Sequence, residues 1–126
     1  MTESGIQIMI VDDNAELCGM LSYLMEKEGF NAQVVYDGEI ALKTMRCRAP
    51  DVALLDIKIP GMDGMEVLRR VKEIDPDIRI IIVSGYFYKD DVVIQKALEE
   101  GLIGGFIGKA FFHDEILKAV KTPCSL

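Results

Sequence analysis

Short apolar runs alternate with stretches of helical periodicity along nearly the whole chain. Ile6-Gln7-Ile8-Met9-Ile10-Val11 is the first run, and Asp51-Val52-Ala53-Leu54-Leu55 is a later one. Runs of this length read as buried strands. Between them the period changes. Over Asn14–Glu28 the residues Leu17, Cys18, Leu21, Leu24 and Met25 recur on one helical face. Asn14 is placed to cap that helix and Gly29 to stop it. A second strand is predicted over Ala32–Tyr36. A helix from Gly38 to about Arg48 follows, with Ile40, Ala41, Thr44 and Met45 facing inward, and it ends before Pro50. After the strand at Asp51–Leu55 comes a loop, 57–64, punctuated by Pro60, Gly61 and Gly64. A third helix is expected over Met65–Ile74 with Leu68 and Val71 inward, ended by Pro76. Strand four, Ile78–Val83, is β-branched almost throughout, as suits a central buried strand. Helix four is expected over Lys89–Glu100. There Val92-Val93-Ile94 cannot all fit one narrow stripe, so one of the three faces solvent or a partner. A short strand at Gly104–Ile107 and a helix at Asp114–Lys121 complete the pattern.

Five strand–helix alternations with short connections specify a parallel sheet covered by helices on both faces. Right-handed crossovers leave few topologies. The chain reads as a single domain over 1–126 with its core at about 6–121, without a linker, repeat or output module.

What stands at the strand ends changes this from a fold into a site. Asp12 and Asp13 follow strand one, and Asp56 follows strand three. In open α/β sheets ligands bind outside the C-terminal edge of the strands. Three carboxylates gathered there repel one another, and a cation holds them ionised. Hard carboxylate oxygens suit Mg²⁺. Ser84 follows strand four and Lys109 follows strand five, on the same edge. Together the residues have the parts for phosphoryl transfer to a carboxylate. Asp56 can act as nucleophile, Asp12 and Asp13 can hold the metal, Ser84 can donate to a phosphoryl oxygen, and Lys109 can neutralise its charge.

Composition narrows the setting. A chain of 126 residues, half of them apolar, has room for a core and is not disordered. No apolar run is long enough to span a bilayer, and Met1-Thr2-Glu3-Ser4-Gly5 lacks the basic start of a signal peptide, so a cytoplasmic location is expected. A net charge of −7 argues against direct nucleic-acid binding and for a protein partner with a complementary face. Cys18, Cys47 and Cys124 have no metal-ligand spacing and read as free thiols, Cys18 as core. His113, the single histidine, has no second ligand near it in sequence.

The chain resembles the receiver domains of two-component response regulators. The resemblance rests on Ile10-Val11-Asp12-Asp13-Asn14, on Leu54 through Gly64, on Ile82-Val83-Ser84-Gly85 and on Gly105-Phe106-Ile107-Gly108-Lys109. Each segment is weak alone; in order and at strand ends they form a specific set covering about Gln7 to Val120. The resemblance implies a flavodoxin-like (βα)5 fold with strand order 2-1-3-4-5. It implies that Asp56 accepts a phosphoryl group from a histidine kinase or histidine phosphotransferase. Asp13, Asp56 and the backbone carbonyl of Lys58 would bind Mg²⁺, or Mn²⁺ in its place, with Asp12 assisting through water. Ser84 and Lys109 would hold the phosphoryl group, and Phe106 matches the family's switch aromatic. The surface of helix four, strand five and helix five would carry the output to a downstream protein. Lys58 and Tyr86 occupy the positions that flank the hydrolytic water and tune the lifetime of the phosphorylated state.

The sequence departs from the family pattern after the lysine, where Ala110 replaces the usual cis proline. A cis non-prolyl bond costs about 2.5–4 kcal/mol, and base rates favour trans. Phe106 lacks the hydroxyl of the commoner tyrosine. A small Mg²⁺-dependent phosphohydrolase with an aspartyl nucleophile is the rival from another class. Such enzymes tend to carry an acid two residues after the nucleophile, where this chain has Lys58. A degenerate receiver that only binds proteins would lack an acid or the lysine, and none is missing. The expectation is a phosphorylation-controlled switch, not a turnover enzyme on an external metabolite.

Overall fold

The computed structural model describes residues 5–56, 64–84, 91–108 and 113–121. Ten elements alternate: β1 (Gln7–Val11), α1 (Ala15–Lys27), β2 (Asn31–Val35), α2 (Gly38–Cys47), β3 (Val52–Leu55), α3 (Gly64–Ile74), β4 (Arg79–Ser84), α4 (Val92–Glu99), β5 (Gly105–Gly108) and α5 (His113–Lys121). The strands form one sheet of order β2-β1-β3-β4-β5, each neighbouring pair parallel. This is the flavodoxin-like topology that the resemblance implies.

Alternation along the strands splits the core into two layers. Met9, Val11, Ala53, Leu55, Ile80 and Ile82 point to one face, where they meet Ala41, Leu42 and Met45 of α2, Val67, Leu68 and Val71 of α3, and Ile94 and Ala97 of α4. Ile8, Ile10, Val52, Leu54, Ile81, Val83 and Ile107 point to the other, against Cys18, Leu21, Leu24 and Met25 of α1 and Val120 of α5. The period of two in a strand distributes successive side chains in this way. Burial on both faces explains why β3 and β4 are apolar almost without interruption.

Most element ends follow from local chemistry. The Asn14 carboxamide oxygen accepts from the Leu17 amide at 3.1 Å, capping α1. Asp37 does the same for α2, accepting from the Ile40 amide at 3.0 Å. Gly29 closes α1 with φ +92°, a conformation in which a side chain would be strained.

The inward face expected for α2 is corrected by the structure. Ala41 and Met45 are buried as expected, but Ile40 is 55% exposed and Thr44 is half-buried, while Leu42 is fully buried. At about 100° per residue, Gly38, Ala41, Leu42 and Met45 share one arc and Ile40 stands about 150° from its centre. The expected stripe was thus rotated by about 80°. The Thr44 hydroxyl does not point into the core but donates to the Ile40 carbonyl at 2.8 Å. In α4 the crowding at 92–94 is resolved with Ile94 buried and Val92 80% exposed. No helix among the described residues is long and apolar enough to cross a membrane.

Candidate functional site

The register of the sheet brings the acids together. Val11 pairs with Leu55, so the next residues, Asp12 and Asp56, leave the sheet side by side. Backbone bonds extend the ladder by one step: the Asp56 amide donates to the Val11 carbonyl at 3.0 Å, and the Asp12 amide to the Val35 carbonyl at 3.2 Å. Asp13 follows in the turn before α1. One carboxylate oxygen from each of Asp12, Asp13 and Asp56 lies within 4.8 Å of the other two. Asp12 and Asp56 are buried, at 3% and 6% exposure, while Asp13 is exposed. The pocket therefore has a charged floor and one solvent-facing wall.

The electrostatics of this arrangement favour a cation. Two carboxylates no more than 4.8 Å apart repel by at least about 1 kcal/mol in bulk water and at least about 3.5 kcal/mol at an effective dielectric of about 20. A divalent ion reverses the sign of the local field. Three converging hard oxygens with one open side match Mg²⁺, which binds few carboxylates and keeps several waters.

The start of α1 secures Asp12. The Asn14 amide donates to Asp12 Oδ1 at 2.9 Å, which fixes the rotation of that carboxylate. The Cys18 thiol donates to the Asp12 carbonyl at 3.3 Å. Cys18 is fully buried, as expected for core, but its role in holding the Asp12 backbone was not read from the sequence. The signal was there in the six-residue separation, which sets the thiol one helical turn beyond the Asn14 cap.

On the other side of the sheet centre, Ser84 ends β4 with its side chain fully buried, in register with Gly108 at the end of β5. Phe106 pairs with Ile82 and is half-buried, packed against the α2–α3–α4 layer. The structure thus brings Asp12, Asp13, Asp56 and Ser84 to one edge. Lys109 follows Gly108 directly in the chain but lies outside the described residues, as do Lys58, Tyr86 and the Lys109–Ala110 bond.

Comparison with known proteins agrees with this geometry. A family model described as the response regulator receiver domain matches residues 8–121. Sporulation initiation phosphotransferase F of Bacillus subtilis (strain 168) is 43% identical over 115 residues, covering 91% of this chain and 90% of that protein. The DNA-binding response regulator MtrA of Mycobacterium tuberculosis (strain ATCC 25618 / H37Rv) is 36% identical over 116 residues, covering 92% of this chain and 49% of that protein. The chain therefore spans nearly all of the first relative but about half the length of the second. Among solved structures, a CheY-like receiver domain protein from Methanospirillum hungatei JF-1 superposes with a TM-score of 0.85 at 24% identity, covering 94% of this chain and 92% of that one. A Burkholderia pseudomallei response regulator, solved with a phosphorylated aspartic acid, calcium ion and citrate, gives 0.81 at 19% identity, covering 94% and 68%. At these identities the structural likenesses show the fold alone.

Proposed function

The chain belongs to the response regulator receiver domain family, whose members are phosphorylation-controlled signalling switches, and on that premise we propose that Asp56 is its phosphoacceptor. The observation that carries the assignment is the convergence of Asp12, Asp13 and Asp56 within 4.8 Å at the C-terminal edge of the sheet. Asp56 directly follows β3, the buried central strand of the sheet, and a rigid strand end holds a nucleophile well.

In the proposed reaction an Asp56 oxygen attacks the phosphorus of a phosphodonor. The bond from phosphorus to the donor's nitrogen or oxygen breaks, and its electron pair leaves with the donor. Asp13, Asp56 and the Lys58 carbonyl would hold Mg²⁺, with Asp12 supporting a metal-bound water. The metal would neutralise charge on the transferring oxygens. Ser84, fully buried at the end of β4, would donate its hydroxyl proton to a phosphoryl oxygen, and Lys109 would offset the charge on another. Phe106, half-buried and in register with Ile82, two residues before Ser84 on β4, would move as Ser84 engages the phosphoryl group, shifting a two-state equilibrium of the α4–β5–α5 surface.

The phosphodonor is read as a histidine kinase or histidine phosphotransferase, and the downstream partner as a protein. The net charge of −7 supports a protein partner over direct contact with nucleic acid. The chemistry on Asp56 is self-directed, with no external metabolite turned over.

The test is intact mass after incubation with acetyl phosphate. Wild type with Mg²⁺ or Mn²⁺ gains one phosphoryl group, and chelator prevents it. An unchanged mass for wild type, or full labelling of Asp56→Asn, would overturn the assignment.

A further inference from the structure

Among the described residues four polar side chains are buried: Asp12, Asp56 and Ser84 at the site edge of the sheet, and Arg79. Arg79 is the first residue of β4, the strand whose last residue is Ser84. It therefore sits at the opposite edge of the sheet, remote from the acids. Burying a guanidinium is unfavourable unless its donors find acceptors. Its Nη1 donates to the carbonyl of Val120 at 3.2 Å. Val120 is the penultimate residue of α5, so its carbonyl is one of those the helix cannot satisfy internally. A cation at a helix C-terminus also complements the helix dipole.

Two further features belong to the same arrangement. A Cβ at Gly104 would lie 3.0 Å from Arg79 Nε and 3.1 Å from Cγ, so a side chain there would crowd the arginine on its way to α5. Lys121, the last residue of α5, pairs through Nζ with Glu28 Oε1 at 2.9 Å, at the C-terminal end of α1. The far end of α5 is thus held to β4 from inside and to α1 from outside. Its other end, His113, begins five residues after Gly108 at the site edge.

We infer that Arg79 is the fixed point of a lever: it pins the C-terminal end of α5 to β4, so that changes at the phosphorylation site reach α5 as a pivot about Val120 and not as a sliding of the whole helix. Arg79 is a positioning residue that acts through α5. β4 carries both Ser84 and the anchor on one continuous strand, which gives the site and the pivot a common frame. Gly104 keeps the passage for the guanidinium open. This inference rests on the proposed role of Asp56, and its test separates the two.

Amide hydrogen exchange read by NMR provides that test, with Mg²⁺ and beryllofluoride as a stable phosphoryl mimic. In wild type, loading changes exchange at 113–117, while 118–121 stay within about twofold of the unloaded protein. In Arg79→Met, which keeps an unbranched apolar stem but no donors, loading changes exchange at 118–121 by about tenfold or more. Gly104→Ala, which crowds Arg79 and strains its bond to Val120 while leaving the guanidinium in the chain, shifts exchange in the same direction, and Arg79→Lys restores part of the wild-type behaviour. Equal changes along all of α5 in wild type, or wild-type behaviour in both Arg79→Met and Gly104→Ala, would overturn the pivot. Loading of Asp56 is followed separately by intact mass with acetyl phosphate. If Asp56 takes no phosphoryl group, the anchor is read in the unloaded protein alone. There Arg79→Met speeds exchange at 118–121 by about tenfold, with β1 and β3 amides unchanged; no such local effect would sink the anchor itself.

Discussion

At the scale of single residues, the site combines side chains that the fold needs with side chains that it tolerates only for function. Asp13 is proposed to be of the second kind. It is exposed, and it adds a third negative charge beside two buried ones. Asp13→Ala is expected to weaken Mg²⁺ binding while leaving metal-free thermal stability level or raised, because it removes repulsion and little packing. A clear loss of metal-free Tm would give Asp13 a structural role. We propose that Tyr86 tunes the lifetime of the phosphorylated state. By the resemblance it stands with Lys58 beside the path of the water that hydrolyses the aspartyl phosphate, and an in-line water has to reach phosphorus opposite the Asp56 oxygen. A tyrosine ring there slows that approach, and each tenfold in rate corresponds to about 1.4 kcal/mol of barrier. Tyr86→Ala with Lys58 unchanged is expected to lose its phosphoryl group faster than wild type, measured as a dephosphorylation rate after donor removal. Equal or slower loss in the variant would reduce Tyr86 to packing.

At the scale of elements, legibility in the sequence followed how much each pattern had to satisfy. The central strands β3 and β4 are buried on both faces, so they had to be apolar throughout and could be read directly. Helix α1 carries four buried residues in phase along thirteen residues, and the long stripe left one solution. Helix α2 has ten residues and covers its layer with Gly38, Ala41, Leu42 and Met45, small side chains among large ones. A short helix with an apolar residue on the outer face admits two phases, and Ile40 drew the reading to the wrong one. Its true phase is set by tertiary packing, since Ala41, Leu42 and Met45 are the residues that meet the sheet layer. The site acids were legible because strand ends fix their position. The Cys18–Asp12 bond was only half legible: the six-residue spacing was in the sequence, but the contact also depends on where α1 docks. The phase of α2 has a direct consequence for stability. Leu42→Ala is expected to destabilise by about 2–5 kcal/mol. Ile40→Ala, at a 55% exposed position, is expected to change stability by less than about 1 kcal/mol. Urea unfolding of both variants checks this, and a larger loss for Ile40 would restore the original phase.

At the scale of the whole molecule, the same sheet that builds two apolar layers also places its charges at one edge, and folding has to bear their repulsion. The native state gathers Asp12, Asp13 and Asp56 within 4.8 Å, whereas the unfolded chain holds Asp56 far from the other two. A cation that binds this cluster therefore binds the native state and not the unfolded chain, and stabilises by mass action. At a Mg²⁺ concentration about a hundredfold above Kd the gain is about 2.7 kcal/mol, which for a domain of this size is a rise in Tm of roughly 8–16 °C. The rise should be strongly reduced in Asp13→Ala and absent with Na⁺ at matched ionic strength, which screens the charges without occupying the cluster. Asp56→Asn provides the contrast, since it removes one charge but keeps an oxygen and should show a higher metal-free Tm with a smaller response to Mg²⁺. Thermal melts of the three proteins over a Mg²⁺ series decide the matter. An equal response to Mg²⁺ in wild type and both variants would mean that the ion acts elsewhere on the acidic surface, and that the three carboxylates do not form the metal site.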